Sequence, residues 1–325
     1  MPSELSEVSE ESADTAGAVT AIAGTPGPAN RWLAATRPQF LTITVVAVLV
    51  GLAGAAASGA PFDGARAALT LLGALLAHAG ANLVNDFHDR DADAANPDGL
   101  HPFTGGSRMI QRGLFEARTI AAYGYALLAA TAAVGVVLAA GRPQLWGVGA
   151  VGLLLAIAYS APPLRLSARG VGEAVIAAAW LLVTVGADMA QRGAWSPVPV
   201  IAGLPLALLV AAILLANGYP DRRADAAAGK RTIVVRLGTG RAARAYLGLI
   251  GAAGLWLAGA VAAGALPAGA LAGLLPLVMS LDAARRLRRH RDGDPAESLL
   301  PAIRATIAAA HLHGLLVAGA LLMAG

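Results

Sequence analysis

Two asparagines and four aspartates, set at one repeated spacing, are the residues best suited to chemistry. Asn85 to Ala95 reads NDFHDRDADAA, and 132 positions later Asn217 to Ala227 reads NGYPDRRADAA, with seven of the eleven positions identical. Each copy carries an Asn-xxx-Asp-xxx-Asp frame: Asn85, Asp89 and Asp93, then Asn217, Asp221 and Asp225. At roughly 100° per helical residue, positions four apart stay within about 80° of one another, so each frame aims an amide and two carboxylates at one place. Carboxylates packed this closely repel and are costly to desolvate, which calls for a cation. A set of oxygen donors alone suits magnesium, which completes its shell with water and phosphate oxygens.

The elements that position these acids are apolar. LTLLGALLAHAGANLV leads into the first frame and PLALLVAAILLA into the second. With 57% hydrophobic and 14% charged residues, the 325-residue chain is expected to be an all-α polytopic membrane protein. Windows of about 20 apolar residues predict nine transmembrane helices near 39–58, 66–86, 117–140, 144–160, 172–190, 197–217, 242–264, 266–282 and 300–323, the fourth and fifth on the short side. Residues 1–30, where Glu4, Glu7, Glu10, Glu11 and Asp14 lie among small residues, read as a disordered tail before a domain over 31–325. The absence of cysteine excludes disulfides and thiolate chemistry.

Charge sets the expected orientation. With a cytoplasmic N-terminus, only Arg66, Arg142 and Arg192 of the 24 Lys and Arg fall in outer loops, which places both frames on the cytoplasmic face of the cell (inner) membrane. The second and sixth spans then run in the same direction. The echo implies two four-helix units in a parallel repeat plus one helix, around a central cavity.

Three cytoplasmic loops add cations and a turn. TGGSR, Thr104 to Arg108, can present the backbone of Gly105 and Gly106 and the Arg108 guanidinium to an anion. YSAPPLRLSARGVGE, Tyr159 to Glu173, brings Arg165 and Arg169, and Lys230 and Arg231 follow the second frame. Acids for magnesium, basic residues for phosphate and an apolar interior together suit a ligand with a diphosphate head and a hydrocarbon tail.

The chain resembles the UbiA-type intramembrane prenyltransferases. NDFHDRDAD is similar to their NDxxDxxxD motif, NGYPDRRADAAAGKRT to their second DxxxD motif with its following GKRT, YSAPPLRLSARGVGE to the intervening Tyr-containing loop, and Arg37-Pro38 to the start of the first helix. The resemblance runs from about Arg37 to the C-terminus. It implies nine helices around a cavity where two magnesium ions hold an isoprenyl diphosphate. It further implies that Asp89, Asp93, Asp221 and Asp225 serve the metals, that Asn85, Lys230 and Arg231 serve the diphosphate, and that Tyr159 lies at the reacting end. Asn217, Arg165 and Arg37 complete the expected diphosphate-binding set. TGGSRMIQRGL at 104–114 is similar to the loop of members that prenylate 1,4-dihydroxy-2-naphthoate in menaquinone synthesis, which makes Arg108, Gly105 and Gly106 the expected contacts for that aromatic acceptor. Gly218 and Pro220 stand where the first frame has Asp86 and His88, so the second frame is expected to make fewer hydrogen bonds.

Rival readings are weaker. A cation-coupled transporter calls for acids at mid-span, and Asp188 lies at the outer interface and reads as structural. Asp63-Gly64-Ala65-Arg66 hints at a CDP-alcohol phosphotransferase but lacks the further acids at the needed spacing. A terpene cyclase on the same scaffold stays open, as does prenylation of a 4-hydroxybenzoate- or homogentisate-type acceptor. His311 and His313 read as packing, and the basic run Arg285 to Arg291 as a contact for anionic membrane lipid, not nucleic acid.

Overall fold

Prolines and glycines set many of the helix boundaries in the computed structural model, which describes residues 27–325 apart from Pro97. The expected tail lies outside the described residues up to position 26, and a short helix, α1 (Pro28–Ala35), takes up its last residues. There follow α2 (Pro38–Ala57), α3 (Gly64–Ala94), α4 (Ala117–Ala139), α5 (Leu145–Ala158), α6 (Gly172–Arg192), α7 (Val198–Ala227), α8 (Ile233–Ala262), α9 (Leu277–Arg289) and α10 (Leu300–Ala324). The described residues contain helices and no strand.

Among the described residues, eight segments are long and apolar enough to cross a membrane by length and composition, so the chain is a multi-pass membrane protein. The span expected at 144–160 is the one that falls short. α5 has 14 residues, a rise of about 21 Å against a hydrocarbon core of about 30 Å. The neighbouring span expected to be short is full length, since α6 has 21 residues. The span expected at 266–282 is composite: a 3₁₀ turn over Ala268–Leu274 meets α9 at Pro276. α8 breaks at Gly238, whose φ of 72° separates a first turn beside the site from the membrane segment.

The largest apolar core lies where α2, α7, α8 and α10 meet, around Leu206, Leu209, Leu215, Tyr246, Leu257 and Ile303. α7 is its axis, with Ala202, Ala211, Ala212 and Ala216 fully buried, small side chains that let neighbouring helices approach. Much of the outer surface is also apolar, as at Leu255, Leu275 and Leu154, which suits contact with lipid and not water. α3 packs against α4, and both it and α7 contact α6, so the two frame-bearing helices share a neighbour. Asp188, fully buried on α6, pairs with Arg192 one turn on at 2.7 Å, the structural role expected of it.

Candidate active site

A cavity of about 620 Å³ runs between these helices, polar at one end and apolar along its walls. At the polar end it is lined by Asn85, Asp89, Asp93, Asn217, Asp221 and Asp225, so the structure brings both frames to one place. Tyr159, Arg37, Lys230, Gly105 and Gly106 line the same cavity. Arg165 and Arg231 do not: both side chains are exposed, and the Arg231 backbone N–H donates to the Ala168 carbonyl at 2.8 Å. Arg108 lines an adjoining pocket of about 410 Å³ with Arg112 and His101, a pocket that shares Asn96 and Thr104 with the main cavity.

Lys230 joins the two frames. Its ammonium lies 2.8 Å from Asp89 Oδ2 and 3.2 Å from Asp225 Oδ1, while its backbone N–H donates to the Asp225 carbonyl at 2.8 Å. Burial works against the ammonium charge, but Asp89 and Asp225 outweigh it and hold the Lys230 pKa above its ordinary value. Arg37 does the same for the first frame. Its guanidinium pairs with Asp86, and burial is again outweighed, here by Asp86, Asp93 and Asp89, so its pKa too is raised. Its Nε is buried and makes no hydrogen bond.

Around the first frame, the Asn85 amide donates to Asp89 Oδ2 at 2.7 Å and to Ser160 Oγ at 3.0 Å. The TGGSR turn folds over it. Gly106 has a φ of 75°, a left-handed conformation that favours glycine, and a Cβ there would press on the Asp93 carboxylate. This approach lets the Ser107 backbone N–H donate to Asp86 Oδ2 at 3.1 Å, and Arg108 Nη1 donate to the Asp93 carbonyl at 2.5 Å. The turn thus gives N–H groups to the chain's own acid. In the second frame, Asp221 Oδ1 accepts from Asn96 Nδ2 at 2.7 Å, whereas Asn217 Oδ1 is buried with no partner.

Asp86, Asn96 and Ser160 are the site residues that the sequence reading missed. Asp86 was seen only as a difference from Gly218, although its adjacency to Asn85 marks it. Asn96 and Ser160 carry no motif, and only the fold brings them in.

Among the described residues, no three His, Cys, Asp or Glu side chains form a ready metal-holding group. Asp89 and Asp225 meet through an ammonium instead. The donors are nevertheless all oxygens, and the orphaned Asn217 Oδ1 adds one that the protein itself leaves unused. That set fits a hard divalent cation.

Comparisons with known proteins give the family. Residues 19–310 match the UbiA prenyltransferase family. The chain is 30% identical over 222 residues to "UbiA prenyltransferase domain-containing protein 1" of Dictyostelium discoideum, covering 66% of each chain. It is 29% identical over 293 residues to the 1,4-dihydroxy-2-naphthoate octaprenyltransferase of Mycobacterium tuberculosis, covering 90% of this chain and 96% of the relative. Its fold is similar to that of a UbiA homolog from Archaeoglobus fulgidus bound to DMAPP and Mg²⁺, with a TM-score of 0.63 and 21% identity over 88% of this chain and 99% of the other. Two acid frames at the polar mouth of an apolar helical cavity, together with a family match across most of the chain, establish that this protein belongs to the UbiA prenyltransferase family and is a prenyltransferase.

Proposed function

We propose that the protein transfers a polyprenyl group from an isoprenyl diphosphate to 1,4-dihydroxy-2-naphthoate, using magnesium, at the cytoplasmic face of the cell (inner) membrane. The observation that carries the reading is the Lys230 bridge between Asp89 and Asp225, which gathers two acid frames at the polar end of an otherwise apolar cavity. The name of the Mycobacterium tuberculosis relative and the TGGSRMIQRGL loop support the acceptor. The bound ligands of the Archaeoglobus fulgidus homolog support the donor and the metal. Eight spans with α5 as a ninth apolar helix support a nine-helix bundle, and the repeated acid frames support building it as two four-helix units in parallel repeat plus one.

Asp89, Asp93, Asp221 and Asp225 would hold magnesium, which when bound supplies positive charge to the departing diphosphate. Lys230 and Arg37, both kept charged, meet the same diphosphate, with Asn85 and Asn217 beside them. Arg165 and Arg231, exposed on the neighbouring loops, act from the rim as the diphosphate arrives. Tyr159 lies at the reacting end. The bond from the allylic carbon to the diphosphate oxygen breaks as the ring carbon attacks, and the carboxylate on that carbon leaves as carbon dioxide. Arg108, Gly105 and Gly106, where the two pockets adjoin, receive that carboxylate. The apolar walls keep water from the allylic cation. They extend to residues that face outward, such as Trp146 on the short α5, which gives the long tail a way toward lipid.

The test incubates membranes carrying the protein with magnesium, a long-chain prenyl diphosphate and, in separate reactions, 1,4-dihydroxy-2-naphthoate, 4-hydroxybenzoate, homogentisate or no acceptor. Product with the naphthoate alone is expected by mass. Prenylated hydroxybenzoate moves the protein to another acceptor, and a cyclic hydrocarbon without acceptor replaces the reading with a cyclase.

A further inference from the structure

Below the acid frames the cavity wall carries one polar cluster that the reaction as described does not use. His78 on α3 sits seven residues before Asn85, and Trp180 on α6 seven residues after the buried Glu173. At 1.5 Å per residue both lie roughly 10 Å deeper than the frames. They meet edge to face, ring centroids 4.9 Å apart at 86°. From α2, Thr44 Oγ1 hydrogen-bonds His78 Nδ1 at 2.7 Å. All three side chains line the cavity, so three helices place a polar collar in a wall of Ala, Gly, Leu and Val.

The collar is unfinished on the ligand side. With Nδ1 committed to Thr44, His78 Nε2 makes no hydrogen bond among the described residues and is left to the cavity, whereas Trp180 Nε1 is buried behind it without an acceptor. Polar groups in an apolar wall are normally paired, and a prenyl tail has nothing to pair with them. An aromatic hydroxyl does. It both donates and accepts, so it satisfies Nε2 in either tautomer of a ring whose other nitrogen is fixed by Thr44. The depth agrees with the chemistry: displacement at the allylic carbon needs the attacking ring on the side away from the diphosphate, which here is below the frames.

We infer that Thr44, His78 and Trp180 form the subsite for a ring hydroxyl of the aromatic acceptor, with His78 Nε2 as its hydrogen-bond partner. The inference rests on the proposed aromatic prenyl transfer and deepens it by naming what orients the ring. One bicyclic ring with a hydrogen bond of about 2.8 Å at each end bridges from the Gly106 turn to this collar. The hydroxyl held is the one meta to the carboxylate-bearing carbon, so the collar orients the ring, while the hydroxyl beside the carboxylate supplies electron density to the attacked carbon.

The test uses the full-length protein in membranes and reads acceptor KM, kcat and prenyl diphosphate affinity separately. His78→Phe keeps a ring of similar shape and removes both nitrogens; His78→Gln restores a polar group near Nε2; Thr44→Val releases the tautomer. Loss of one neutral hydrogen bond predicts an acceptor KM raised roughly 3- to 10-fold in His78→Phe, with diphosphate affinity unchanged and partial recovery in His78→Gln. An acceptor that lacks that hydroxyl altogether, 1-hydroxy-2-naphthoate, should be insensitive to His78→Phe. If the unmodified protein prenylates the acceptor and His78→Phe leaves its KM and kcat alone, the collar is not the subsite. Equal changes in acceptor KM and diphosphate affinity make it a structural tie and overturn the inference. An unmodified protein that prenylates no aromatic acceptor takes down the proposed function itself, and the collar with it.

Discussion

The two acid frames share a sequence pattern but not a set of partners. The first is filled from within: Asn85 holds Asp89 and Ser160, Asp86 is met by Arg37 and the Ser107 N–H, and Asp93 lies under Gly106. The second is held more sparsely, with Asp221 accepting from Asn96 and Asp225 paired with Lys230. Gly218 replaces Asp86, and Asn217 Oδ1 has no partner. Pro220, where the first frame has His88, lies inside α7 and cannot give an N–H to the turn before it. The difference separates two tasks that sequence identity conceals. One frame is pre-positioned throughout by the protein, and the other keeps one acceptor, Asn217 Oδ1, free for what binds.

Removing one carboxylate from each frame should have the largest effect. Asp89→Asn and Asp221→Asn are each expected to lower magnesium-dependent turnover by about 10²- to 10³-fold, as loss of a charge-stabilising group does. The comparison sharpens in the fold. Asp89→Asn also removes a partner of Lys230, whereas Asp221 contacts Asn96, so only the first change should lower thermal stability as well. Near-normal turnover of either purified variant would end the site assignment.

Lys230→Met breaks the tie between frames. It leaves Asp89 and Asp225 buried near one another with no cation, and breaking a buried charge pair costs about 3 kcal/mol or more. Thermal unfolding without metal should show that loss, and added magnesium should restore much of it if the two acids then share the ion. A Lys230→Met protein that magnesium does not stabilise would show that the ammonium, and not a metal, is the only cation this pair takes.

What was readable in the sequence follows from which signals are local. The frames stood out because a four-residue spacing on a helix is set by the chain itself, and α3 and α7 did present them to one cavity. The apolar windows gave the helices for the same reason. Lys230 was placed among the cations at the site, but its position between Asp89 and Asp225 comes from the turn after α7 and from the packing of α3, which no short stretch encodes. Arg231, its neighbour, received the same expectation, yet its side chain turns outward. α5 is short, as expected, while α6 runs two residues past the window expected at 172–190, to Arg192, whose charge is paired with Asp188 within the fold. Asp86 differs from its counterpart Gly218 in sequence, and only the fold shows it to be the anchor for Arg37.

Converting one frame into the other tests whether the difference is built in. Gly218→Asp restores the residue type of the first frame, but a Cβ there would lie 3.1 Å from Val234 Cγ2, and Arg37, the partner of the corresponding Asp86, is already committed to the first frame. Overpacking costs about 1–3 kcal/mol, and the unpaired acid adds to it. A reduced melting temperature is expected, with a larger loss than for a substitution at an exposed position. If Gly218→Asp were as stable as the parent, the second frame would have room for the same partners, and its openness would be incidental.

The smallest effect on stability is expected where the comparison is most direct, at the two asparagines. Asn85→Ala removes two hydrogen bonds that its amide donates, at 2.7 and 3.0 Å, and a longer one that it accepts from Arg37 at 3.5 Å, a loss of about 1–2 kcal/mol. Asn217→Ala removes an acceptor that has no partner, so the ligand-free protein should unfold at the same temperature as the parent or slightly higher. With magnesium and a prenyl diphosphate present the order changes. Ligand stabilises the folded state in proportion to its affinity, so Asn217→Ala should show a smaller ligand-induced rise in melting temperature than the parent. Because the orphaned oxygen costs stability only while nothing binds it, a variant neutral without ligand and weakened with it marks Asn217 as a ligand-facing group. Equal losses for the two alanine variants in the ligand-free protein would show that the second frame is as internally satisfied as the first.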